Sequence, residues 1–335
     1  MSIDPVQLHR ESIVIDAVCP LLMKQEFIAW YQQGGATAIA PTVGSEAPSG
    51  VTLRTVAGWL RLVDERDDLI IVKRAADIEA AKASNKTGVI LHFQGTEPID
   101  DALDLVWAWK TMGVGIMQLS YNVKNRIGDG AQERTDSGLS YFGLEFVKAC
   151  NAARVIVDCS HTGYRTTMDA LAATERPAVF SHANARSIHD NPRNIRDDQI
   201  KAAAATGGLV GTVGFPSFVA DTARPTLDQF IDHIAYIADL VGIDHTALGI
   251  DYYASMASAS ELKDAEAYYD RSIRLGRWRA DAYPPPPHHY PEGIESPKTL
   301  PALTARLLER SFSPEDVKKV LGGNWMRVYR SVWGE

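Results

Sequence analysis

Cysteine is scarce in this chain, with only Cys19, Cys150 and Cys159 among 335 residues. Three thiols do not make the framework of a disulfide-stapled domain, and a chain of this length can bury a core without one. Cys150 and Cys159 lie in apolar surroundings and are expected to pack as small buried hydrophobes. No run of apolar residues approaches the roughly 18 needed to cross a bilayer, so no membrane span is expected. The first residues, Met1 to Gln7, lack a basic region followed by an apolar stretch. No signal peptide is therefore expected, and the cytoplasm is the expected compartment. Positive charge is also in short supply. The 34 Lys and Arg residues face 42 Asp and Glu, for a formal net charge of −8, which weighs against nucleic acid or an anionic membrane as the main partner. There is no internal repeat, and the only biased stretch is the proline run of Tyr283 to Pro291.

What the chain does contain is an alternation of short apolar runs with amphipathic stretches. Strands are predicted at 13–18, 34–43, 89–94 and 115–121, at the runs ending in His161 and His182, and at 208–213 and 246–251. Helices are predicted near 22–33, 52–66, 100–112, 139–153, 165–174, 197–205 and 226–241. Eight strands alternating with helices favour a (β/α)8 TIM-type barrel occupying residues 1–335 as one domain, with an open doubly wound sheet as the alternative. Residues 257–335 read as a C-terminal helical and proline-rich extension. Its helices are predicted at 257–279, 299–311 and 314–321. Ser313 is the expected cap of the last, with Pro314 at its first position, and Gly322-Gly323 its expected end.

Two runs organise the chemistry. Val155-Ile-Val-Asp-Cys-Ser-His161 and Ala178-Val-Phe-Ser-His182 each end in Ser-His and are separated by one predicted helix. Parallel neighbouring strands lie about 4.8 Å apart, so both imidazoles can reach one metal ion. Asp251 ends the eighth strand at the same face, where barrel active sites sit. Two His and one Asp make a plausible set for zinc or a similar ion. Arg193 can clamp a substrate carboxylate, or alternatively pair with Asp197 or Asp198. Tyr121 can donate to a substrate oxygen, or serve as an ordinary rim tyrosine. His92 is expected to be a packed, satisfied histidine, and His288 and His289 surface residues. Cys19 could be a soft ligand or nucleophile, but strand alternation turns it away from the site.

Taken together, several segments resemble the membrane (renal) dipeptidase family, peptidase family M19 of the amidohydrolase superfamily. They are Val157-Asp-Cys-Ser-His161, Phe180-Ser-His-Ala-Asn184, Pro192-Arg-Asn194, Gly207-Gly-Leu-Val-Gly211, Asp232-His-Ile-Ala-Tyr-Ile-Ala238, Val241-Gly-Ile-Asp-His245, Leu248-Gly-Ile-Asp251 and Leu321-Gly-Gly-Asn324. Tyr121-Asn122, Asn125 and Gly128-Asp-Gly130 resemble a bacterial branch. The likeness covers residues 87–330 well and the first 86 loosely. It implies a (β/α)8 barrel that holds two zinc ions at its strand ends and cleaves dipeptides. It also implies that His161 and His182 bind one ion, that Asp251 binds the other and handles the proton, and that Arg193 holds the substrate carboxylate.

Four positions depart from that pattern. The family's first strand carries Asp-Gly-His-x-Asp, where this chain has Asp16-Ala-Val-Cys-Pro20, so Val18 and Pro20 replace two ligands. Gln94, before Gly95, stands where a bridging Glu belongs, and Tyr121 where a histidine belongs. The family offsets the repulsion of two divalent ions with three carboxylates, of which Asp251 alone survives at a matched position. A mononuclear site on His161, His182, Gln94 and Asp251 is the expectation, with one zinc or none. The expected activity is cleavage of an amide-type bond in a small carboxylate substrate. Arg193, Tyr121 and Asn122 would bind that substrate, with Asp251 as general base and Tyr121 stabilising the oxyanion. The alternative is a barrel that has lost hydrolysis and acts as a metal-free isomerase or lyase, or binds a small acid. A homodimer is expected from family habit.

Overall fold

Residues 4–253 and 259–335 are described by the computed structural model on which the following rests. Its strands are short. β1 (Ile15–Asp16), β2 (Ala38–Ile39), β3 (Thr42–Gly44), β4 (Leu69–Ile71) and β5 (Thr87–Val89) come first, followed by β6 (Leu91–Phe93), β7 (Val114–Gln118), β8 (Ile156–Asp158), β9 (Val210–Thr212) and β10 (Thr246–Leu248). Every pairing between them is parallel, in the orders β1-β2-β5-β4, β3-β6-β7-β8 and β10-β9. The predicted second strand is split into β2 and β3 around Ala40 and Pro41, where proline cannot donate to a ladder.

The predicted sixth strand survives as two single bridges, Asp158 to Val179 and Phe180 to Val210. These link β8 to β9. Where the eighth strand returns to the first, the Asp251 N–H donates to Val18 O at 3.2 Å. The order of the chain is thus that of a (β/α)8 barrel. One buried cluster shows it directly. Ile15, Ala38, Ile90, Ile116, Ile156, Val179, Leu209 and Ala247, one residue from each successive strand position, gather with Trp325 and Tyr329 of the last helix. The larger cluster joins strand residues such as Ile39, Val89 and Val157 with helix residues such as Val56, Phe146 and Ile234.

Local chemistry sets several helix ends. Thr226 caps Leu227–Val241 through Gln229, each side chain bonding the other's backbone, and Ser313 caps Pro314–Lys318 as expected. The predicted helix at 257–279 is observed as Ala259–Arg274, with 257 and 258 outside the described residues. Gly322-Gly323 does not end the chain's helical course. The backbone runs through a π-turn, Lys319–Gly323, into Asn324–Trp333. Gly322 is there for a different reason: a Cβ on it would sit 2.4 Å from Ile13 O. Strand β4 and the helix Ala75–Ala83 were not expected either. Among the described residues no helix is long and apolar enough to cross a membrane.

Glycine also sets the spacing of the site-bearing strands. A Cβ on Gly249 would lie 1.8 Å from Ser181 O, and one on Gly211 2.1 Å from the same atom. Gly249→Ala must therefore push β10 off the His182 segment. We expect it to cost about 1–3 kcal/mol or more, read as a lower urea midpoint at unchanged slope. An unchanged midpoint would show that this close approach is not a constraint.

Candidate active site at the strand ends

His161, Asp251 and Asn122 all leave their strand positions with positive φ, at 62°, 63° and 60°. Such backbone is unfavourable for residues with a Cβ and clusters at functional sites. It turns the three side chains out of the strand direction into a common region.

The twin Ser-His sequences have one cause, a carboxylate that the sequence reading passed over. Asp158, fully buried at the end of β8, accepts from Ser160 N, Ser160 Oγ and Ser181 N on Oδ1 at 2.8–2.9 Å, and from Ser181 Oγ on Oδ2 at 2.5 Å. Burial alone would raise its pKa. The hydrogen bond and charge of His92, the charge of His182 and the Ser181 hydroxyl outweigh that and hold it at about 2. Each serine thus ties the histidine after it to one fixed anion. His92 is buried as expected, with Nε2 3.4 Å from Asp158 Oδ2. It is only half satisfied, since its Nδ1 has no hydrogen-bond partner among the described residues.

The two imidazoles converge, with His161 Nε2 2.7 Å from His182 Nε2. Their tautomers follow from the neighbours. The Asn122 Nδ2 group donates to Arg277 O and to Tyr283 Oη, which turns Asn122 Oδ1 toward His161 Nδ1 at 2.7 Å. That oxygen can only accept, so His161 Nδ1 carries the hydrogen. Ser181 gives its single proton to Asp158, so at His182 Nδ1, 2.8 Å away, it accepts. Both Nε2 atoms are then lone-pair donors aimed at each other, an arrangement that a cation between them would satisfy. Only a proton fits a 2.7 Å gap. Two zinc–nitrogen bonds of about 2.0–2.1 Å at a tetrahedral angle require roughly 3.3–3.4 Å. Burial, then the charge of Arg193, depresses both imidazole pKa values well below the ordinary range, so a proton is poorly held there. Donor hydrogens on both Nδ1 atoms and free lone pairs on both Nε2 atoms are the arrangement of metal-ligating histidines.

A two-ion centre does not fit these residues. Val18 is fully buried and uses its carbonyl on Asp251 N, Pro20 offers no side-chain donor, and Gln94 is neutral. The expected larger ligand group is not assembled either. Among the described residues no group of three or more His, Cys, Asp or Glu is placed to hold a metal ion. Asp251 is engaged instead by Gln94, and its carboxyl is pushed up to about 8 by burial, against the pull of Arg193 and with Asp16 adding to it. What remains for one cation is the imidazole pair. Cys19 is buried, its Sγ donating to Asp16 O at 3.4 Å. Burial and the charge of Asp16 push its thiol well up, so it is neither nucleophile nor ligand.

His161 is a wall shared by two cavities. One, of about 130 Å³, is mainly apolar and is also lined by Pro20, Gln94, Tyr121, Phe215, Asp251, Trp278 and Tyr283. The other, of about 180 Å³, is polar and includes Arg193, Arg186, Arg196 and Asn194. Tyr121 stacks on His161, centroids 4.2 Å apart, and its hydroxyl accepts from Trp278 Nε1 at 3.1 Å. Arg193 is not paired with Asp197 or Asp198; those bond Tyr236 and Ser187, and Tyr164. It is 2% exposed, gives Nε to Tyr283 Oη at 3.1 Å and lines the polar cavity rather than the apolar one. Asn122 lines neither cavity; its amide is spent on orienting His161 and Tyr283.

The C-terminal extension supplies residues that the sequence reading left out. Trp278 and Tyr283 stack at 4.5 Å and cover the apolar cavity. His288, expected at the surface, is 2% exposed and packs on Phe215 at 4.5 Å, because the proline segment folds back over the strand ends. His289 is half-buried.

The sequence pattern of membrane dipeptidases, peptidase family M19, matches residues 43–275 and 287–333. An uncharacterized dipeptidase of Schizosaccharomyces pombe is 28% identical over 290 residues, 84% of this chain and 62% of that one. Dipeptidase verJ of Clonostachys rogersoniana is 26% identical over 268 residues, 79% of this chain and 61% of that one. This chain therefore spans about three-fifths of the length of these curated relatives. An amidohydrolase from Pseudomonas aeruginosa shares 31% identity at a TM-score of 0.90, over 99% of this chain and 100% of that one. A metallopeptidase from Rhodobacter sphaeroides, liganded with a phosphinate mimic of the dipeptide L-Ala-D-Ala, shares the fold at a TM-score of 0.78 and 19% identity, over 96% and 100% of the two chains.

Proposed function

This chain belongs to the membrane dipeptidase family, peptidase family M19, and from that premise we propose that it hydrolyses an amide-type bond in a small carboxylate-bearing substrate at a reduced metal site. The observation that carries the reading is the convergence of the His161 and His182 Nε2 atoms, with His161 lining a cavity that Asp251 and Tyr121 also line. His161 and His182 would hold one divalent cation, zinc being the family habit. When bound, such an ion supplies electrophilic polarisation of the scissile carbonyl.

The chain's own groups account for the rest. The substrate carboxylate lies in the polar cavity against Arg193, whose guanidinium keeps donors beyond the Nε bond to Tyr283. The scissile carbonyl lies at the shared wall. Asp251, as carboxylate, takes a proton from the attacking water while the new C–O bond forms and the carbonyl electron pair moves onto oxygen. Tyr121, whose hydroxyl accepts from Trp278 and keeps its own proton, donates to that oxygen. As the C–N bond breaks, Asp251 returns the proton to the leaving amine. Water is consumed, and an acid and an amine are released.

The test is a panel of dipeptides, L-Ala-D-Ala among them, and N-acyl amino acids, assayed with and without chelator and with the phosphinate mimic of L-Ala-D-Ala as inhibitor. Hydrolysis of at least one member, lost on chelation and restored by zinc, is expected. No hydrolysis and no phosphinate binding by zinc-loaded protein would overturn the reading.

A further inference from the structure

We propose that Tyr283, from the C-terminal extension, is a second oxyanion donor of this site, with Arg193 as the residue that positions and polarises it. The inference rests on the hydrolase reading above and assigns Arg193 a role beyond carboxylate binding.

Tyr283 Oη accepts from Arg193 Nε at 3.1 Å and from Asn122 Nδ2 at 3.0 Å. Both lone pairs of the phenol are thereby used. Its one proton makes a long bond, 3.4 Å, to Asn122 Oδ1, an oxygen that also accepts from His161 Nδ1 at 2.7 Å. A ligand oxygen in the cavity that Tyr283 lines together with His161, Tyr121 and Asp251 offers that proton a shorter bond. An N–H donated from a guanidinium draws electron density from the phenol oxygen and strengthens the O–H as a donor. Burial raises the phenol pKa, yet Arg193 and the Asn122 hydrogen bond hold it to about 12, whereas Tyr121, whose donor is the neutral Trp278 indole, lies well above its ordinary range.

The ring is also held still. It stacks on Trp278 with planes 4° apart and packs edge-on against Phe218 at 5.2 Å. A fixed donor requires no reorganisation when charge develops on the carbonyl oxygen. With Val18, Pro20 and Gln94 unable to complete a two-ion centre, the Arg193-polarised phenol of Tyr283 supplies positive potential to the cavity that Pro20 and Gln94 also line. In the step described above, Tyr283 neither gains nor loses its proton. It donates a hydrogen bond to the oxyanion while Asp251 carries the proton from water to amine.

The experiment compares binding of two probes to wild type and Tyr283→Phe, full chain, zinc-loaded, by calorimetry. One is the phosphinate mimic of L-Ala-D-Ala, a tetrahedral anion; the other is the ketomethylene isostere of the same dipeptide, a planar neutral carbonyl. The variant keeps the ring and its stacking. Phosphinate affinity is expected to fall about 10–100-fold while ketomethylene affinity changes less than about threefold. Equal losses for both, or none for either, overturn the inference. A crystal structure of the wild-type phosphinate complex gives the same decision if the variant fails to fold. A phosphinyl oxygen about 2.7–3.1 Å from Tyr283 Oη supports the assignment, and one beyond hydrogen-bond reach refutes it. Wild type that binds neither probe and hydrolyses nothing fails the hydrolase reading itself, a result distinct from wild type that binds the phosphinate without help from Tyr283.

Discussion

Asp251→Asn is expected to lower kcat by about 10²–10⁴-fold with little change in KM. Asparagine keeps the shape and the contact with Gln94 but cannot take a proton from water. Position makes the residue suitable: it follows β10, its φ of 63° turns it from the strand, and its carboxyl faces the cavity shared with His161. Its environment sets the pH range. Burial, with Asp16 adding to it, raises the carboxyl to about 8 against the opposing charge of Arg193. A base must be ionised to act, so wild-type kcat/KM should climb about tenfold per pH unit below about 8 and level off above. The ascending limb should vanish from the residual activity of the variant. A variant retaining most of its activity, or one with the limb intact, would remove Asp251 from the chemistry.

The same shift makes a stability statement whose sign can be worked out. Asp251 and Asp16 have folded-state pKa values of about 8 and about 7, above the roughly 3.9 of an unfolded chain. Between those values the folded state holds more protons than the unfolded state. Stability is therefore fully present below pH 4 or so and declines as pH rises through 7 and 8. Asp251→Asn, neutral throughout, should be more stable than wild type at pH 8, on the order of a few kcal/mol, and indistinguishable at pH 4. The opposite trend would show that the carboxylate form is well compensated in the apo protein. Loss of activity with gain of stability is what separates a functional carboxylate from a structural one.

How far the sequence led can be judged residue by residue. His161 and His182 were legible because a short apolar run that ends in a polar residue marks a strand end, and two such runs one crossover apart are commonly neighbours. Asp251 was legible by the same rule. Asp158 was missed although it lies in the motif, because an Asp inside an apolar run is read as part of the strand, and its partners come from two segments. β4 was missed because Leu69–Ile71 is three residues long and follows a charged turn. Trp278, Tyr283 and His288 were beyond pattern reading altogether. The proline run reads as an extended segment crossing the surface or one mouth of the barrel, but the contact of Asn122 with Tyr283 joins residues 161 apart in sequence, and nothing in a local window says which side chains of that segment reach the site. Arg193 is expected at the site from the sequence, but its orientation depends on that same distant tyrosine.

His182→Ala is expected to abolish divalent-metal binding, taking bound zinc from about one per chain to none in elemental analysis of carefully purified protein. The expectation follows from the tautomers. With Nδ1 hydrogens committed to Asn122 and Ser181, each ring contributes one lone pair, and neither ring alone makes a site. In wild type, zinc in excess of its dissociation constant should raise the melting temperature, by an amount equivalent to about 2.7 kcal/mol at a hundredfold excess. The variant should show no such rise. Its fold should persist, because Asp158 keeps Ser160 and both backbone donors. Wild type that neither retains zinc nor responds to it would mean that the 2.7 Å contact is a proton-sharing pair and not a collapsed ligand pair. The complementary gain runs the other way. Val18→His, Pro20→Asp and Gln94→Glu together restore two carboxylates and an imidazole at the positions where the family carries ligands. Metal content of the folded triple variant should then rise toward two. If it stays at one, the correspondence of those three positions is wrong, and the neutral half of the site has an origin other than the loss of ligands.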